Sequence, residues 1–225
     1  IKKLIRSIVL SRTYGLSSRA SREVREGDSG NVWLTRHRRR RLDAEQIRDS
    51  ILFASWNLKL VPGRGSDVED TVALINWPVG ESTNLHQPSF HRSIYLCRLR
   101  HAPPKELVAF DLPDGLSVVG QRSVSTSPAQ SLFFVNSPFV VQQSRFLAES
   151  LLRTEADTGE RIRHLYKRIL TRSPSPFELQ TAQEYVGKII EQLGGSGEDS
   201  QAIRLKAWAS LCQALFATNE FRYID

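Results

Sequence analysis

The sequence predicts a mainly α chain: a multi-helix, bundle-like domain with a long irregular central loop region. Three observations carry this. Apolar residues recur at helical spacing over most of the chain. Several of these stripes open on recognisable starts, including Ser127-Pro128, Ser137-Pro138 and Ser175-Pro176. Between the first stripes and the later ones, residues 61–90 hold Pro62, Gly63, Gly65, Pro78, Gly80 and Pro88 without clear periodicity.

Ile1, Leu4, Ile5, Ile8 and Val9 form the first stripe, over residues 1–10. Residues 15–41 show little periodicity, with Gly27, Asp28 and Gly30 marking turns. Asp43 and Gln46 have capping-box spacing ahead of Ile47, Ile51, Ala54 and Leu58. A loop as long as 61–90, with at most a short element at 71–77, is functional or disordered in most domains. Residues 91–100 fit strand and helix patterns alike, and helix is the preferred reading. Pro103-Pro104 stops it and opens a short helix over 104–110, followed by the turn Phe110-Asp111-Leu112-Pro113-Asp114-Gly115. Helices are then predicted over 128–135, 138–152, 159–171, 176–193 and 201–217, the last two joined by Gly194-Gly195-Ser196-Gly197. Ser127 with Gln130, and Ser175 with Glu178, match the capping box, and Asp157 is a further cap. The C-terminal helices pack as an antiparallel bundle. The chain reads as one domain, 1–225, divisible into an irregular and helical half, 1–120, and a bundle half, 121–225.

The chain has 31 Lys+Arg against 24 Asp+Glu, a net charge of +7. Residues 1–48 hold 13 against 5, and residues 49–225 hold 18 against 19, so the excess lies in the first fifth. Arg outnumbers Lys 24 to 7, which fits fixed ion pairs or anion contacts, and fits equally a GC-rich genome. No apolar run approaches the roughly 18 residues of a membrane span. The first residue is Ile and a helical pattern begins at once, so the chain is expected to be a piece of a longer protein.

The run His37-Arg38-Arg39-Arg40-Arg41 could contact phosphates, but no aromatic residues interleave with it, which argues against nucleic acid. Its simpler reading is a solvated or ion-paired segment beside Asp43, Glu45 and Asp49, or a contact with an acidic partner. His86, His91 and His101 have no metal-ligand spacing and read as ordinary histidines, with no metal expected. His164 follows Glu160 by one turn and reads as its partner. Cys97 and Cys212 form no CxxC or CxxCH. They read as buried thiols, with a disulfide the open alternative. Asp111 and Asp114 could serve as a carboxylate pair, though closing their own turn is the simpler role. Arg122 precedes the hydroxyls Ser123, Ser125, Thr126 and Ser127. It suits an anion site completed by the helix start at Pro128, or a salt bridge to Asp111 or Asp114. There is no GxSxG, Walker loop or GxGxxG.

The ordered segments carry a resemblance. They are Ile8-Val9-Leu10-Ser11-Arg12-Thr13-Tyr14, Arg41-Leu42-Asp43-Ala44-Glu45, His91-Arg92-Ser93-Ile94-Tyr95-Leu96, Phe110-Asp111-Leu112-Pro113-Asp114, Arg122 through Leu132, Asn136-Ser137-Pro138-Phe139-Val140, and Leu211 through Asp225. Together they resemble the planctomycete-type PSD-one domain of unknown function, over nearly the whole chain. Ser127 and Ser131 stand where that family usually has other residues. The resemblance implies an exported, extracytoplasmic protein with a cytochrome c-like domain upstream. It also implies that the present chain is the C-terminal part of the domain. Haem c would then belong to the parent protein outside this segment, with no cofactor in the chain itself and the upstream domains as its partners. Arg92, Asp111, Asp114, Arg122, Ser125, Thr126, Gln130 and Asn136 match the family's recurrent polar motifs and are the candidate binding or catalytic residues. Two functions follow as expectations. One is an accessory or interaction module linked to redox chemistry or polysaccharide breakdown. The other is a hydrolase-like enzyme domain with a polar pocket around Arg92, Asp111, Asp114, Arg122 and Gln130.

Overall fold

A computed structural model describes residues 1–62, 88–98, 103–154, 157–195 and 199–224. Most of the expected loop at 61–90, with its element at 71–77 and His86, lies outside the described residues, as do His101 and part of the 194–197 connector. The described part is mainly α, with ten α-helices and one two-stranded ladder. It forms two compact units, residues 1–42 with 222–224, and the described residues of 43–221.

The first unit opens with α1 (Lys2–Val9), whose residues are all exposed. The exposed apolar stripe Leu4, Ile5, Ile8 and Val9 runs along it. Helix α2 (Arg22–Gly27) is not legible as a stripe. It starts because the Ser21 hydroxyl accepts from Val24 N at 3.3 Å. The chain then wraps around Asp28, whose carboxylate accepts from Val32 N (2.7 Å), Trp33 N (3.1 Å) and the Thr35 hydroxyl (3.1 Å). Asn31 stands at φ 52°, a left-handed conformation Asn tolerates. Its side chain closes the same loop by bonding both the carbonyl and the amide of Arg36. Strand β1 (Arg40–Arg41) pairs antiparallel with β2 (Tyr223–Ile224), in the register Arg40 to Ile224 and Arg41 to Tyr223.

The second unit holds α3 (Ala44–Ala54), a 3₁₀ turn (Ser93–Tyr95), α4 (Lys105–Val108), α5 (Pro128–Asn136), α6 (Pro138–Thr154), α7 (Thr158–Leu170), α8 (Pro176–Leu193), α9 (Ser200–Phe216) and all but the last residue of α10 (Asn219–Arg222). Helix α6 packs most extensively on α9, and α8 packs beside it on α9. Their stripes meet in a core that includes Val140, Leu147 and Leu151 of α6, Ile162 and Leu165 of α7, Val186 of α8, and Trp208, Leu211 and Phe216 of α9. Phe110, Phe133, Phe134, Phe216 and Phe221 extend it as an edge-to-face cluster with centroids 5.1–6.2 Å apart.

The starts are partly as predicted. Ser175 and Glu178 form a complete capping box, and Asp157 accepts from Glu160 N at 2.8 Å. Ser127 departs from expectation: its side chain makes no cap, and Gln130 turns instead to Ser125. Residues 91–98 are also corrected, because they hold only the 3₁₀ turn, and His91 bridges to Lys59. Side chains of α3 take the backbone groups that a helix there would have used. Glu160 pairs with Arg163 at 2.5 Å, and the His164 ring also stands edge-on to Trp56. No disulfide joins Cys97 to Cys212. Cys212 is fully buried, and Cys97 is only half-buried.

Candidate functional site

The first turns of α3 carry Glu45, Arg48 and Asp49, and a spacing of four puts Glu45 and Asp49 on one face. Arg122 forms a two-pronged bond to Glu45, with Nη1 to Oε2 at 2.6 Å and Nη2 to Oε1 at 2.8 Å. This fork holds the Glu45 carboxyl below the usual carboxylate range against the opposing effect of burial, and raises the Arg122 guanidinium. The expected partners of Arg122, Asp111 and Asp114, are therefore replaced by a residue 77 positions earlier in the chain.

Asp49 organises the segment around Arg92. Its Oδ2 accepts from Arg92 Nε at 3.3 Å, and its Oδ1 accepts from both the amide and the hydroxyl of Ser93 at 2.7 Å. Arg48 completes the clamp from below. Its buried guanidinium donates to the carbonyls of Ser89 (2.5 Å) and His91 (3.0 Å) and to the Ser93 hydroxyl (3.3 Å), and lies over Phe139. Burial lowers the pKa of this cation.

Asp111 sits at φ 57°, left-handed for a non-glycine residue. Its carboxylate takes both polar groups of Ser125, the amide at 2.9 Å and the hydroxyl at 2.5 Å. The buried Gln130 side chain donates to the Ser125 carbonyl at 3.1 Å. Asp114 accepts from Leu116 N at 2.9 Å and closes its own turn, with Gly115 at φ 75°. Thr126 and Asn136 lie exposed and join none of these contacts.

Of the predicted residues, the structure thus brings together Asp111, Ser125 and Gln130. It sends Arg122 to Glu45, Arg92 to Asp49, and Asp114 to its own backbone. Sequence reasoning missed Glu45, Arg48 and Asp49 as the organising residues. Their spacing along one helix is visible, but it points to the neighbouring run at 37–41. Among the described residues, no three His, Cys, Asp or Glu side chains gather where they could hold a metal ion, and no helix is long and apolar enough to cross a membrane.

These observations define a mainly helical domain whose polar loops are anchored to one helix by paired charges. Residues 1–186 match the PSD1 family model, "Protein of unknown function (DUF1553)", and the chain belongs to that family. No curated protein and no solved structure matches the chain.

Proposed function

We propose that this chain is an accessory, interaction module of an exported, cytochrome c-associated bacterial protein. The redox chemistry or polysaccharide breakdown is the work of neighbouring domains, and this module docks against the domains upstream of it. The observation that carries the reading is how the polar candidates pair. Arg122 with Glu45, Arg92 with Asp49, and Asp111 with Ser125 are bonded to one another in anchoring geometries. A catalytic pair needs groups turned to a substrate. The uncovered apolar stripe of α1 adds to this, as a surface suited to a partner. The chain has no CxxCH, so any haem c sits in a neighbouring domain.

The test is a calorimetric titration of this chain with the segment encoded upstream of Ile1, expressed separately and loaded with haem. The reading expects saturable binding that is weakened by Ile5→Asp in α1. An upstream segment without a CxxCH, or one that does not bind, overturns it.

A hydrolytic reading has one observation in its favour, the convergence of Asp111, Ser125 and Gln130. It expects hydrolysis of an ester or glycoside panel that Ser125→Ala abolishes while the fold is retained.

A further inference from the structure

The first unit contains a cavity of about 690 Å³, lined by Arg19, Arg25, Arg36, Arg38, Arg39 and His37, together with Ser18 and Asn31. Among the described residues, no carboxylate lines it. We propose that this cavity binds a compact multivalent oxyanion, a molecule carrying two or more neighbouring phosphate or sulfate groups.

The guanidinium groups of Arg19, Arg25 and Arg38 face one hollow and repel each other, and an anion among them relieves that repulsion. The planar fork of each Arg matches the oxygens of phosphate and sulfate. Arg36 is already fixed in place, because its Nη1 donates to the Asp28 carbonyl at 2.8 Å and its Nη2 to the Ser29 carbonyl at 3.0 Å. The Asp28 carboxylate is held within the loop by the amides of Val32 and Trp33 and the Thr35 hydroxyl. The loop is thereby preorganised, which lowers the ordering cost of binding. Among the described residues, the guanidinium groups of Arg19, Arg25 and Arg38 have no carboxylate partner. The size is that of a small-ligand site. No Phe, Tyr or Trp lines the cavity among the described residues, so nothing there stacks on bases or sugar rings. Charge and oxygen geometry are what it reads, which favours a compact anion over a nucleic-acid strand.

The experiment titrates the full chain at low salt with four probes: inorganic tripolyphosphate, a trisulfated disaccharide, inorganic phosphate and a short duplex DNA. At least one of the first two is expected to bind about tenfold more tightly than inorganic phosphate and more tightly than DNA. Whichever prevails says whether the ligand is phosphorylated or sulfated. The triple variant Arg19→Gln/Arg25→Gln/Arg38→Gln is expected to weaken that binding by about tenfold or more. A control of equal charge loss elsewhere, Arg12→Gln/Arg153→Gln/Arg204→Gln, is expected to stay within about twofold. Circular dichroism checks that both variants fold. The proposal is overturned if neither multivalent probe binds, if both triple variants weaken binding equally, or if DNA binds most tightly. It stands apart from the docking of upstream domains, and either can fail without the other.

Discussion

Replacing Glu178 by Gln tests how the bundle ties its C-terminal helices together. Arg172 follows the left-handed C-cap of α7, Thr171, and holds two carboxylates at once. It bonds Glu178 of α8 at 2.6 and 2.8 Å and Glu220 of α10 at 2.5 and 2.7 Å. The Arg172 fork takes Glu178 from the ordinary 4.5 down to about 2 and raises the guanidinium. A depression of that size corresponds to at most about 3 kcal/mol. Both side chains are about a third exposed, 34 % and 30 %, so solvent screening reduces this to about 1–2 kcal/mol. The sign is fixed by linkage. A carboxyl whose pKa is lower in the folded state stabilises fully above its unfolded value, and that contribution fades as pH falls towards 2. The assay is thermal unfolding of wild type and Glu178→Gln at pH 7, 4 and 2.5. Glu178→Gln is expected to melt about 3–6 °C lower at pH 7, with the gap closing towards zero at pH 2.5. The substituted side-chain amide retains an oxygen for the Ser175 backbone N–H, so the capping bond is largely kept. A gap that stays constant across this pH range would refute the ionic account.

Other expectations follow from the same kind of contact. Arg48→Met removes a buried cation that satisfies three acceptors, and should cost about 3 kcal/mol in urea unfolding while speeding proteolysis near residues 89–93. Asp111→Ala loses both Ser125 bonds and places Ala at φ 57°, so a loss of about 2 kcal/mol is expected, with Asp111→Asn closer to wild type. Burial pushes the Cys212 thiol up, so a thiol reagent should label Cys212 only after denaturation, and Cys97 in the native chain.

The bundle is legible because its stripes and caps are local. Ser175 with Glu178, Asp157, and the run Trp208, Leu211, Cys212, Leu215 and Phe216 each state their structure within a few residues. Helix α2 is hidden because Ser21 caps a six-residue segment with no buried face. The segment at 91–98 misleads because Arg48 and Asp49, some 43 residues away, supply partners for its backbone. The candidate polar residues can be recognised from the sequence, yet their partners cannot. Arg122 finds Glu45 across 77 residues, and no local pattern encodes such a pairing. The Arg-lined cavity is foreshadowed by the charge excess in residues 1–48. Its shape depends on the Asp28 loop, which reads in sequence only as a turn.

The candidate site is held together by its polar residues being partners of one another in the folded chain. A double-mutant cycle on Glu45→Gln and Arg122→Gln, read by urea unfolding at low salt, checks this at the best-formed pair. A coupling of about 0.5–1 kcal/mol that shrinks as salt is added is expected. Additive losses, with no coupling at any salt concentration, would show that the pairing is absent in solution.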